Sequence, residues 1–112
     1  MNIETRKESA AMIVELNGRL DAVSSPAYEQ KLNALIADGE TKFVVDFEQL
    51  DYISSAGLRA LLASAKRVKG KSGQLLLANI VGPVKEVFAI SGFASIFQVY
   101  QSVASALVAV AG

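Results

Sequence analysis

Two adjacent hydroxyls, Ser54 and Ser55, stand in the stretch LDYISSAGLRALL (Leu50 to Leu62), where an apolar helix is due to begin, and Gly57 follows two residues later. A serine at such a turn can act as a nucleophile, as a helix cap, or as an acceptor for a modifying group. Nucleophilic use requires a neighbouring base. The chain has no His, and the lysines near the motif in sequence, Lys66 and Lys69, lie two or more turns up the helix, so a hydrolase cannot be assembled from these residues. Capping, in which the hydroxyl accepts a hydrogen bond from an early helical amide, is worth ~1 kcal/mol but accounts for one serine only. It also leaves Gly57 unexplained, because Gly in a helix costs up to ~1 kcal/mol against Ala. The third use is phosphorylation. A hydroxyl at a loop end is within reach of a kinase, and the helix dipole and free amides accommodate a phosphate locally. The fold then survives while the surface gains about −1.5 to −2 charges. In that reading Gly57 keeps the surface low for a partner's approach. Capping and phosphorylation both remain open on these residues alone.

Other stretches invite other chemistries. GKS at Gly70–Ser72 suggests a phosphate-binding loop, but position 65, where the first Gly of that motif belongs, is Ala. The loop also follows a helix and enters a strand, the reverse of the required order, so an ordinary polar turn is expected. Nucleotide binding by the domain has only this failed motif and the exposed loops behind it. Arg59, Lys66, Arg67 and Lys69 fit either a solvated helix face or an electrostatic dock for an acidic partner beside the serines.

The elements that must position these residues follow from pattern. AMIVEL at 11–16 reads as a strand, closed by turn chemistry at Asn17–Gly18 and paired with the weaker run Ile3–Arg6 as an antiparallel hairpin. SSPAYEQKLNALIADG predicts a helix with Ser25 as N-cap, Pro26 at the first helical position, an apolar stripe of Tyr28, Leu32, Leu35 and Ile36, and Gly39 as the stop. KFVVDF at 42–47 reads as a strand buried on both faces. Leu58, Leu61, Leu62, Ala65 and Val68 then recur at helical spacing and predict a helix from about Ala56 to Lys69. A turn at 69–73, a buried strand at 74–80, a helix at 83–92 closed by Gly92, a short edge strand at 97–100 and an Ala/Val-rich final helix complete the order. That last helix, around Val103 to Ala111, can pack on its own sheet or join a second copy. Alternating helices and buried strands imply crossover connections: an α/β domain with a mixed, mostly parallel sheet of four to five strands and about four helices.

Composition narrows the classes further. With 112 residues, two Pro and 52% apolar content, one domain spanning 1–112 around one core is expected. Eleven basic and eleven acidic residues cancel, which argues against a general polyanion-binding role and so against direct nucleic-acid binding. The absence of Cys and His removes disulfides, thiol chemistry and the usual zinc ligands, so neither cofactor nor metal is expected. The N-terminus MNIETRKESA is polar and charged, and no run approaches the ~20 apolar residues that span a bilayer, so a soluble, cytoplasmic chain without membrane insertion is expected.

NGRLDAVSS at 17–25, FVVDFEQLDYISSAGLRALLASAK at 43–66 and the looser VKEVFAISGFASIFQVY at 84–100 resemble the STAS domain, in its stand-alone form as an anti-sigma factor antagonist. The resemblance extends over nearly the whole chain in its order of elements, and the middle block is its most specific part. It implies a non-enzymatic partner switch. Unphosphorylated antagonist binds an anti-sigma factor that is also a serine kinase, releasing the sigma factor; phosphorylation abolishes the grip and a serine phosphatase restores it. The resemblance places the phosphoacceptor on Ser55, with Ser54 as the alternative, and implies a partner surface of Asp21, Ser54, Ala56, Gly57 and Arg59. The family's aspartate after the central strand falls on Asp46. Many antagonists carry Asp immediately before the acceptor; Ser54 stands there instead, removing a negative charge and adding a second hydroxyl. A rival within the same family is a STAS subunit supporting a membrane lipid or solute transport system, in which no serine is modified.

Overall fold

Alternation along the central strands creates two buried faces, and the helices divide between them. The computed structural model describes residues 1–111. Their strands are β1 (Asn2–Glu8), β2 (Ala11–Leu20), β3 (Lys42–Asp46), β4 (Leu50–Ile53), β5 (Gln74–Ala78) and β6 (Val99–Tyr100). Their helices are α1 (Ser25–Ala37), α2 (Ser55–Gly70), α3 (Gly82–Ser91) and α4 (Val103–Ala111), with a 3-10 turn at Phe93–Ser95.

The strands lie in the order β1-β2-β3-β5-β6, and β4 pairs with β2 beyond the end of β3. Only the β1–β2 hairpin is antiparallel; β2–β3, β2–β4, β3–β5 and β5–β6 are parallel. Val14, Leu16, Phe43, Val45 and Leu77 face a core closed by Tyr28 and Leu32 of α1, Leu58 and Leu61 of α2, and Val84 and Phe88 of α3. The residues between them, Ile13, Val44, Leu76 and Ala78, face the opposite side and are covered by Ala106 and Val110 of α4. This period-two division is what a sheet sandwiched between helix layers requires. The Ala/Val-rich final helix therefore packs on its own sheet.

Three local expectations are revised. Asn17–Gly18 does not end β2: Gly18 takes φ +99°, the register shifts between Gly18 and Arg19, and the strand continues to Leu20 as a bulge. The continuation is held because β4 takes up the β2 ladder there, pairing Leu20 with Ile53. That β4 is the second revision, a sixth strand where four or five are expected. The Leu50 amide bonds the Phe47 carbonyl at 3.0 Å, so a tight turn separates β4 from β3. Third, α1 has Ser24 rather than Ser25 at its N-cap, and that residue makes no side-chain capping bond to the helix. Ser25 is the first helical residue, and its hydroxyl donates to the Asp21 carbonyl at 2.6 Å. The Gly92 stop holds, with a left-handed φ of 78°.

Candidate phosphoacceptor site

Parallel pairing of Leu20 with Ile53 ends two strands side by side, so their next residues, Asp21 and Ser54, open two neighbouring loops. The Ser54 amide donates to the Leu20 carbonyl at 3.0 Å and fixes the start of α2 against the end of β2. Ser54 has extended backbone, and its hydroxyl accepts from the Gly57 amide at 3.2 Å, the geometry of an N-cap. The two serines thus differ in environment: Ser54 is half-buried and engaged, whereas Ser55 is exposed at the first helical position. The first intrahelical bond of α2 runs from the Leu58 amide to the Ser54 carbonyl, 2.9 Å, which leaves the Ser55 and Ala56 amides upstream of the ladder. No acidic residue occupies this first turn. The positive end of a 16-residue helix therefore stands beside the Ser55 hydroxyl without a local carboxylate of its own.

Asp21 organises the adjoining loop. Its carboxylate accepts from the Val23 amide and the Ser24 amide, each at 3.1 Å, and from the Ser24 hydroxyl at 3.2 Å. The Ser24 amide bond is the main reason that the Asp21 carboxyl is held below its ordinary value of 3.8; partial desolvation opposes it, while the Ser24 hydroxyl, the Val23 amide and the Arg19 charge add to the lowering. The turn holds up Val23, an apolar side chain that is 90% exposed. Arg19 reaches Asp21 at 3.6 Å and lies 4.2 Å from the centre of the Tyr52 ring, joining the β2–α1 loop to β4. Arg19, Val23 and Tyr52 carry no motif signal in the sequence. Their grouping depends on the β2–β4 pairing, whose only trace there is the short, partly apolar run LDYI.

The remaining expected residues separate. Ala56 and Arg59 border a shallow groove between α1 and α2 that also touches Ala22 and Glu29, so both adjoin the Ser55 surface. Gly57 does not: it is buried, and a β-carbon there would lie 2.4 Å from the Leu20 carbonyl oxygen. Glycine is needed at this position because helix and strand backbones touch, so Gly57 makes room inward for the strand and not, as expected, outward for a partner. The basic residues of α2 also fail to form one dock. Arg67 turns to Glu29 of α1 at 3.8 Å, Lys66 and Lys69 flank a separate groove against β5, and Arg59 alone lies within about one turn of Ser55. Asp46 is buried at the end of β3, where it accepts from the Asn79 side-chain amide at 2.9 Å and the Glu48 amide at 3.1 Å. It braces the turns after β3 and β5.

The GKS stretch is an ordinary helix end. The Lys71 and Ser72 amides bond the Val68 and Lys69 carbonyls at 3.0 and 2.9 Å, leaving no cradle for phosphate. Among the described residues there is no cluster of three or more potential metal ligands and no helix long and apolar enough to cross a membrane.

Residues 2–106 match the family described as STAS domain. BtrV of Bordetella bronchiseptica, which carries the name of an anti-sigma factor antagonist, is 40% identical over 102 residues, covering 91% of this chain and 88% of that protein. The anti-sigma-B factor antagonist of Staphylococcus aureus is 25% identical over 99 residues, covering 88% and 92%. The crystal structure of an anti-sigma factor antagonist from Mycobacterium paratuberculosis superposes with a TM-score of 0.89 at 26% identity, covering 99% of this chain and 94% of that one. A match this long to the family, together with a relative at this level of identity, means that the chain belongs to the STAS domain family.

Proposed function

We propose that this protein is an anti-sigma factor antagonist, a cytoplasmic regulator without catalytic activity of its own, whose partner switch is phosphorylation of Ser55. The unmodified chain binds an anti-sigma factor that is also a serine kinase; the kinase modifies Ser55 and loses its grip, and a serine phosphatase resets the site. The observation that carries this reading is the division of labour between the serines. Ser54 spends its hydroxyl as the cap of α2, while Ser55 presents an exposed hydroxyl at the helix N-terminus, the position at which a phosphate is tolerated by the fold. The kinship with chains named as anti-sigma factor antagonists supports it.

Asp21, Ser54, Ala56 and Arg59 form the proposed contact surface, to which the exposed Val23 adds an apolar side chain and the Arg19–Tyr52 pair adds residue types favoured at binding hot spots. A phosphate placed in such an interface adds about −1.5 to −2 charges, and a loss of ~3 kcal/mol weakens binding roughly hundredfold.

Peptide mass spectrometry of the protein from its native cells, beside a Ser55→Ala variant, tests this. A phosphoryl group on Ser55 that is absent from the variant is expected, together with capture of a kinase partner by the unmodified chain. Phosphate on Ser54 moves the switch by one residue. No phosphate under several growth conditions, or a Ser55→Asp chain that binds the kinase as tightly as wild type, overturns the reading in favour of a transport-system subunit with capping serines.

A further inference from the structure

The end of α2 remote from Ser55 borders a groove of about 420 Å³ against the start of β5 and the segment Ile96–Gln98, within the ~300–1,000 Å³ usual for small-molecule sites. Its apolar lining comes from Leu62 and Ala65 of α2, Leu75 of β5, and Phe97. Phe97 is fixed by ring contacts, edge-on to Phe88 and tilted to Phe93, both at 6.3 Å between centres, so that wall is already formed. Ile96 completes the apolar side yet remains 58% exposed, apolar surface that an occupant would remove from water.

Lys66 and Lys69 border the same groove. They stand three residues apart on α2, so their stems rise from one side of the helix, and neither pairs with a carboxylate among the described residues, unlike Arg67. The Val68 and Lys69 carbonyls at the end of α2 are taken up by the amides of Lys71, Ser72 and Gly73. Those same bonds occupy the backbone amides that a polyphosphate would need. An apolar trough with two unpaired ammonium groups and no free amide nest selects a compact anion on an apolar body.

From this we infer that the groove binds a free medium-chain carboxylate, the hydrocarbon lying along Leu62, Leu75 and Phe97 and the carboxylate meeting Lys66 and Lys69. The site is separate from the Ser55 surface and does not rest on the function proposed for it.

Titration of the isotope-labelled full chain with decanoate and, in parallel, with decanol, followed by amide chemical shifts, tests the inference. Saturable shifts centred on α2 after Leu62, the start of β5 and Ile96–Gln98 are expected below the concentration at which decanoate forms micelles. Lys66→Gln combined with Lys69→Gln is expected to weaken decanoate about tenfold while leaving decanol unchanged. Ala65→Trp, which fills the trough, is expected to remove both. The inference fails if wild type gives no saturable shift, if the double lysine variant binds decanoate as tightly as wild type, or if the chain binds phosphatidylglycerol vesicles while ignoring soluble decanoate.

Discussion

The α-carbon of Gly57 faces the Leu20 carbonyl so closely that a methyl group on it would sit 2.4 Å from that oxygen and 2.9 Å from the Ile53 side chain. The first turn of α2 therefore rests directly on the backbone of β2, and this contact sets the height at which Ser54 and Ser55 emerge. Ala at this position would gain up to ~1 kcal/mol of helix propensity, but the obstructing atom is backbone and has no rotamer to escape into. Gly57→Ala is expected to destabilise the fold by a net ~1–3 kcal/mol, the range of an overpacked core, as read by urea unfolding. A variant as stable as wild type would mean that α2 can lift from the strand at no cost.

The two serines are expected to respond differently to truncation. Ser54→Ala removes the acceptor of the Gly57 amide and should cost ~1 kcal/mol. Ser55→Ala removes an exposed hydroxyl and should change stability by less than ~0.5 kcal/mol. Urea midpoints of the two variants, measured side by side, separate the cap from the proposed acceptor without reference to any partner. Equal losses, or a larger loss at Ser55, would reverse the assignment.

Much of this arrangement is legible in the residues, and the part that is not has a common cause. Helices α1, α2 and α3 announce themselves through apolar spacing of 3.6 and, in α3, through the Gly92 stop, because these are local signals. Strand β4 does not: LDYI is four residues long, and what stabilises it is pairing with Leu20, thirty-odd positions earlier in the chain. Once β4 is missed, the bulge at Gly18 looks like a turn and the approach of Arg19 to Tyr52 cannot be anticipated. Gly57 is the sharper case. Its presence in a first helical turn is visible as an anomaly, but whether the missing side chain makes room outward for a partner or inward for a strand is decided only by packing.

Beneath the site, the Tyr28 hydroxyl meets the Ser64 hydroxyl at 2.7 Å, a buried link between α1 and α2, and Ser64 also bonds the Leu61 carbonyl at 2.7 Å. Burial pushes the Tyr28 phenol above its ordinary value of 10.0 because the phenolate cannot be solvated there, the Ser64 bond opposing only in part. The folded state thus holds its proton more tightly than the unfolded one. The contribution is fully present below pH 10.0 and is lost as pH rises toward the raised value, since only the unfolded chain then ionises. Tyr28→Phe is expected to cost ~1 kcal/mol at neutral pH and to lose less stability than wild type between neutrality and strong alkali, measured by urea unfolding at each pH. Parallel alkaline limbs would show that Tyr28 ionises freely in the fold.

Asp21 provides the acid counterpart. Its carboxyl lies below 3.8 chiefly through the Ser24 amide bond, so its contribution to stability is present above that pH and lost as pH falls through the folded value. A carboxyl-carbon titration by NMR is expected to place the Asp21 midpoint below 3.8, and a midpoint at or above it would contradict the hydrogen-bond geometry. Asp21→Asn keeps an acceptor oxygen for the Val23 and Ser24 amides and removes only the charge, so it should preserve the loop at neutral pH while flattening this part of the acid limb. Asp21→Ala removes oxygen and charge together and should release the turn that holds Val23 at the surface. If partner binding falls in the Ala variant but persists in the Asn variant, the contribution of Asp21 to the proposed switch is the shape of the loop; if both lose binding equally, it is the carboxylate charge that the partner reads.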